Sequence, residues 1–193
     1  MFEYGAVRRF STSRREIRDF LIALIVLLVV GFSWFHFALS PLILVALAVG
    51  VIPAFLLHEL AHKLMAQRHG AWAEFRIDHL GIVITAISII APFKIIAPGA
   101  VVVWSPYLDV NMIGKISIAG PLTNISLALI FIALSPLLPG YLATFTIYFN
   151  ALVAFFNLLP IGIFDGRKII RWSLPAWAAA FATSIGLLVL SVF

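Results

Sequence analysis

Cysteine is absent from this chain, and charge is scarce: Asp, Glu, Lys and Arg together make up 11% of its 193 residues. Without cysteine there is no disulfide, no thiol nucleophile and no thiolate ligand, so a tight metal site has only His, Asp and Glu to draw on. With so little charge, no stretch is hydrophilic enough to fold as a separate soluble domain. What remains is 63% hydrophobic with a mean hydropathy of +1.13, the composition of an integral membrane protein.

The net charge of +5 is distributed unevenly. Arg8, Arg9, Arg14, Arg15 and Arg18 stand directly ahead of the first apolar run, as topology signals that mark a cytoplasmic face and meet anionic lipid, rather than as a nucleic-acid surface. Residues 1–19 read as a basic cytoplasmic segment and 20–193 as one membrane domain. Phe20 to Leu39 lacks acidic and basic residues altogether, long enough to cross about 30 Å of hydrocarbon and too long for a signal-peptide core. Further spans are expected at 41–65, 115–138, 141–160 and 174–193, with Pro136, Pro139, Pro160 and Pro175 near their ends.

The fold class expected is therefore a mainly α membrane protein of about five transmembrane helices. Between the second and third spans lies Phe75 to Trp104, apolar but interrupted by Pro92, Lys94 and Pro98 and rich in β-branched residues. Short strands in a membrane-associated β-element fit it better than a sixth helix. Five crossings also leave all thirteen Lys and Arg residues on the amino-terminal side, whereas a sixth would scatter them. The amino terminus is then cytoplasmic and the carboxyl terminus outside. With no organelle-targeting pattern, a prokaryotic plasma membrane is the expected location.

Against this apolar background, "HELAH" at 58–62 ends the second span with three ionisable groups. Such groups inside a membrane need partners or a task. On a helix, His58 and His62 stack on one face within reach of a single ion, while Glu59 is turned by about 100°. That geometry leaves the carboxylate beside the ion as a general base toward water rather than as a ligand. Zinc suits these donors, and a catalytic zinc takes a third protein ligand. The chain has only eight acidic residues: Glu3, Glu16, Asp19, Glu74, Asp78 and Asp109 are alternatives to Asp165, which ends the fourth span on the predicted side of the histidines. His36, His69 and His79 read as interfacial or solvated. The five tryptophans mostly flank spans, as an interfacial belt does.

These residues resemble the site-2 protease family of intramembrane zinc metalloproteases. "HELAH" matches the family's zinc helix, "NLLPIGIFDG" at 157–166 its Asn-x-x-Pro to Asp-Gly signature, and "GKISIAGPLTNISLAL" at 114–129 its third-helix stretch with Gly120, Pro121 and Asn124. The resemblance covers Val51 to Arg171, and departs from the family where Ile161 to Phe164 replace the prolines common before Asp-Gly. It implies that His58, His62 and Asp165 hold Zn2+, that Glu59 is the catalytic acid/base, and that a β-region follows the zinc helix. Asn157 and Asn124 are candidates for contacting substrate backbone or the oxyanion. The expected activity is endoproteolysis in or near transmembrane segments, with membrane proteins as substrates, the lipid bilayer as surroundings and no nucleic-acid partner. A membrane metal transporter and an inactive helix-binding adaptor are the rival readings. Substrate identity and oligomeric state are not legible.

Overall fold

The computed structural model describes residues 11–38, 40–91, 94, 97–162 and 164–192. Arg8, Arg9 and Glu3 lie outside the described residues. Helix α1 (Arg14–Trp34) begins where Ser13 accepts the Glu16 amide at 3.1 Å. It therefore starts inside the segment expected to precede the membrane domain. Within that segment Glu16 and Asp19 are buried, at 0% and 2% exposure. Helix α2 (Pro41–Ala46) opens on Ser40 and Pro41, a cap and a first-turn proline, and runs through a π-turn at Leu47–Val51 into α3 (Ile52–Arg68). Within that turn, Gly50 lets the Phe145 ring approach so closely that a Cβ would lie 2.8 Å from it.

Strand β1 (Trp72–Ile77) pairs antiparallel with β2 (Gly99–Trp104), Phe75 opposite Val101. The β-element expected between the second and third spans is thus present, but its centre is helical. Helix α4 (His79–Ile87) starts at Asp78, whose carboxylate accepts the Gly81 amide at 2.6 Å. β-branched residues disfavour helix only weakly, and a cap together with tertiary packing overrides them.

Helix α5 (Val110–Leu134) lies at the middle of the bundle, touching α3, α6 (Gly140–Asn157), α7 (Gly166–Trp172) and α8 (Leu174–Val192). Small residues bring the backbones together, as is usual between membrane helices: Ala128 of α5 and Ala143, Ala151 and Ala154 of α6 form one buried seam. A second cluster joins Phe20 of α1, Phe55 of α3 and Phe75 of β1. Leu21, Ile25, Leu129, Ile130 and Leu190 point outward, each at least half exposed, an apolar surface suited to lipid.

Among the described residues, four helical segments, Arg14–Trp34, Pro41–Arg68, Val110–Leu137 and Leu174–Ser191, are long and apolar enough to cross a membrane. The expected fourth span at 141–160 is a helix, the 18-residue α6, but its Thr, Tyr and Asn residues dilute its hydropathy and it is not among those four. The protein is a mainly helical integral membrane protein with a small two-stranded sheet.

Candidate metal centre

One turn of α3 sets His58 above His62, and their Nε2 atoms lie 3.0 Å apart. Each ring is oriented from behind. His58 Nδ1 is 2.5 Å from Asn124 Oδ1, and His62 Nδ1 is 2.7 Å from the Ile116 carbonyl, both acceptors belonging to α5. With Nδ1 donating, each Nε2 is left with its lone pair facing the same point, the tautomer that binds a cation. Asn124 is oriented in turn, donating to the Ala54 carbonyl at 2.8 Å and to Asn150 Oδ1 at 3.1 Å. Its amide is fully committed and 0% exposed. In this arrangement Asn124 braces His58 and ties α3, α5 and α6 together.

Asp165 arrives from the irregular turn after α6. The turn needs glycine at two positions, one for its backbone and one for close packing. Gly162 takes φ 57°, a left-handed conformation, and Gly166 packs against the Leu158 carbonyl so tightly that any Cβ would overlap it. That carbonyl also accepts the Trp177 indole N–H at 2.7 Å. Asp165 occupies the N-cap position of α7 yet makes no side-chain cap bond. Its carboxylate turns instead to the imidazoles, with Oδ2 3.0 Å from His62 Nε2 and 3.6 Å from His58 Nε2. Lys168 Nζ stands 3.5 Å from Oδ1. Burial raises the Asp165 pKa, but attraction to His62 in its protonated form, hydrogen bonds from imidazole N–H groups in that form and the Lys168 charge outweigh it. The carboxyl is held well below the usual carboxylate range, in the ionised form a metal requires.

The three donor atoms lie within 4.8 Å of one another, and all three residues are at most 8% exposed. Two neutral nitrogens and one carboxylate oxygen, each oriented from behind, form the donor set of a three-ligand zinc site. Gly120 of α5 supplies the remaining space, since a Cβ there would overlap both Nε2 atoms. The residues present fit the metal. The alternatives Glu16, Asp19, Glu74, Asp78 and Asp109 are not part of this group, and His36, His69 and His79 are exposed.

Glu59 is buried beside the group and points to β2, where its Oε2 accepts the Val101 amide at 3.2 Å. A cavity of about 670 Å³ opens here, lined by the three donor residues, Glu59, Asn157 and residues 97–101. Asn157 faces this cavity while donating to the Val153 carbonyl at 3.0 Å. The roles of Gly120, of the Ile116 carbonyl and of the Val101 amide were missed from the sequence. For Gly120 the signal was available, as it stands four residues before Asn124 on the helix facing the histidines.

A protein of Methanocaldococcus jannaschii named "Putative zinc metalloprotease MJ0611" is 36% identical over 190 residues, covering 95% of this chain and 98% of the relative. The chain belongs to the site-2 protease-like family of zinc metalloproteases. No family model matches it, and no solved structure does. Family membership makes the chain a metalloprotease at that level, and an archaeal relative fits a prokaryotic membrane.

Proposed function

We propose that this family member is an intramembrane endopeptidase that uses zinc to hydrolyse peptide bonds in or near the transmembrane segments of membrane proteins. The observation that carries the reading is the meeting of His58, His62 and Asp165 within 4.8 Å, in a chain whose long helices are apolar enough to lie in a bilayer. His58, His62 and Asp165 would hold the ion. Zinc bound there supplies Lewis-acid chemistry, acidifying water and polarising a carbonyl. Glu59 takes the proton of the attacking water as its oxygen joins the carbonyl carbon. It returns that proton to the amide nitrogen as the carbon–nitrogen bond breaks, leaving a carboxylate and an amine.

A substrate helix hides its peptide bonds in its own hydrogen bonds, so it must be extended before it is cut. The edge of β2 bordering the cavity offers pairing partners to an extended segment, by strand addition. Asn157, at the same cavity, hydrogen-bonds the substrate backbone. The basic amino terminus faces the cytoplasm and the carboxyl terminus lies outside.

The test is Glu59→Gln in the purified full chain. Cleavage of a membrane-helix reporter should fall by about 10²–10⁴-fold while zinc content stays that of the wild type. Undiminished cleavage with zinc still bound would overturn the reading, whereas a transporter would carry metal across a vesicle regardless of this substitution.

A further inference from the structure

A second group of buried charges lies outside the cavity. Lys63, one turn after Glu59 on α3, donates to Glu16 Oε2 at 2.6 Å, and the two side chains are 1% and 0% exposed. The chemistry described above uses neither. Replacing such a pair with apolar residues is commonly neutral or stabilising, so stability alone does not account for it.

Its geometry does. The other oxygen of Glu16, Oε1, accepts the amide of Phe75 on β1 at 3.0 Å. Phe75 is the register partner of Val101, whose amide is bound by Glu59. In an antiparallel pair, alternate rungs turn both amides outward, and this rung is one of them. One carboxylate therefore grips each outer edge of the sheet at the same rung, and both lead back to α3, Glu59 directly and Glu16 through Lys63. The β1 edge is closed further by Gln67, whose Nε2 donates to the Ala73 carbonyl at 3.3 Å. An open sheet edge invites pairing, and here only the β2 edge borders the cavity.

We propose that Glu16 is a positioning residue for proteolysis, with Lys63 the counter-ion that lets its carboxylate lie buried: it closes the outer edge of β1 and fixes the strand pair so that β2 presents its edge to Glu59 and the incoming substrate. The inference rests on the protease reading for its activity consequence. Its structural consequence, that Glu16 steadies Val101 across the sheet without touching it, does not depend on that reading.

The experiment compares two double variants of the full chain in detergent micelles. Glu16→Met/Lys63→Met removes the charges and the acceptor for Phe75 with little change in volume. Glu16→Gln/Lys63→Met also removes the charges but keeps an oxygen for the Phe75 amide. Amide hydrogen exchange over 72–77 and 99–104, zinc content, and kcat and KM on a membrane-helix reporter are measured for each. In the Met/Met variant exchange should quicken at least tenfold in both strands and kcat/KM should fall at least tenfold, with zinc content unchanged. The Gln/Met variant should return to within about threefold of the wild type on both measures. Glu16→Asp, which keeps both charges but withdraws the carboxylate by one methylene, should move in the Met/Met direction and serves if that variant does not fold. Equal behaviour of the two double variants, or unchanged exchange over 99–104 once the acceptor is lost, would overturn the proposal. A wild-type protein that cleaves nothing yet shows the expected exchange pattern would instead sink the protease reading alone.

Discussion

Helix α3 carries two buried polar groups barely one turn apart, and they are built on opposite principles. Around His58 and His62, every partner is an acceptor or an acceptor in waiting: a carboxylate in front, an amide oxygen and a carbonyl behind. That group is open, with its acceptors gathered where a cation would fit. Around Lys63, the positive charge is already present and Glu16 answers it at 2.6 Å, with Thr12 Oγ1 as a further acceptor at 3.0 Å. This group is closed. The difference separates chemistry from architecture: the open group faces a cavity of about 670 Å³, and the closed one faces β1 and the start of α1.

The comparison breaks most readily at the closed group. Lys63→Met alone strands the Glu16 carboxylate in the interior, which should cost about 3–5 kcal/mol of unfolding free energy. Adding Glu16→Met should recover most of it, because the penalty belongs to the orphaned charge rather than to a missing contact. Unfolding in mixed micelles, followed by far-UV circular dichroism, measures both. At the open group the corresponding change is Gly120→Ala. The added methyl would overlap both Nε2 atoms, so zinc affinity should drop by more than about 100-fold, beyond the loss usual for an outer partner, while the helices remain folded. Competition with a chelator and a spectrum without loss of helicity would establish that result. Should Gly120→Ala bind zinc as the wild type does, the open space at α5 is not part of the metal centre.

The two groups also differ in how far the sequence disclosed them. His58 and His62 were legible because a helical spacing of four is a local property, and Asp165 because topology put its segment at the same depth. Strand β2 at the end of 75–104 was legible from β-branched content, whereas β1 starts ahead of that stretch at Trp72 and carries one β-branched residue, Ile77. Helix α4 between them was not, because its start is set by one cap at Asp78 and its persistence by tertiary surroundings. The burial of Glu16 and Asp19 was not legible for a related reason. A carboxylate ahead of an apolar run ordinarily marks the solvated side of a span, and nothing nearby in the chain announces a lysine 47 positions later as its partner. The partners of Asn124 were not legible, since its amide finds His58, Ala54 and Asn150 only after three helices have packed.

That amide gives the smallest of the expected effects and the one that tests how far an open group depends on its rear supports. Asn124→Ala removes the acceptor for His58 Nδ1 and leaves the ring free to rotate or to move its proton to Nε2, where it would oppose the cation. Zinc affinity should fall by about 10–100-fold, the usual cost of losing an outer partner to a ligating histidine. Asn124→Asp keeps an acceptor for His58 but loses donation to Ala54 and Asn150, so it should hold affinity near the wild type while lowering stability by about 1–3 kcal/mol. A competition titration with a chromophoric chelator, run beside an unfolding curve, separates the two. If both variants lose affinity equally, the amide acts through helix packing rather than through the imidazole, and the orientation of His58 is set by α3 alone.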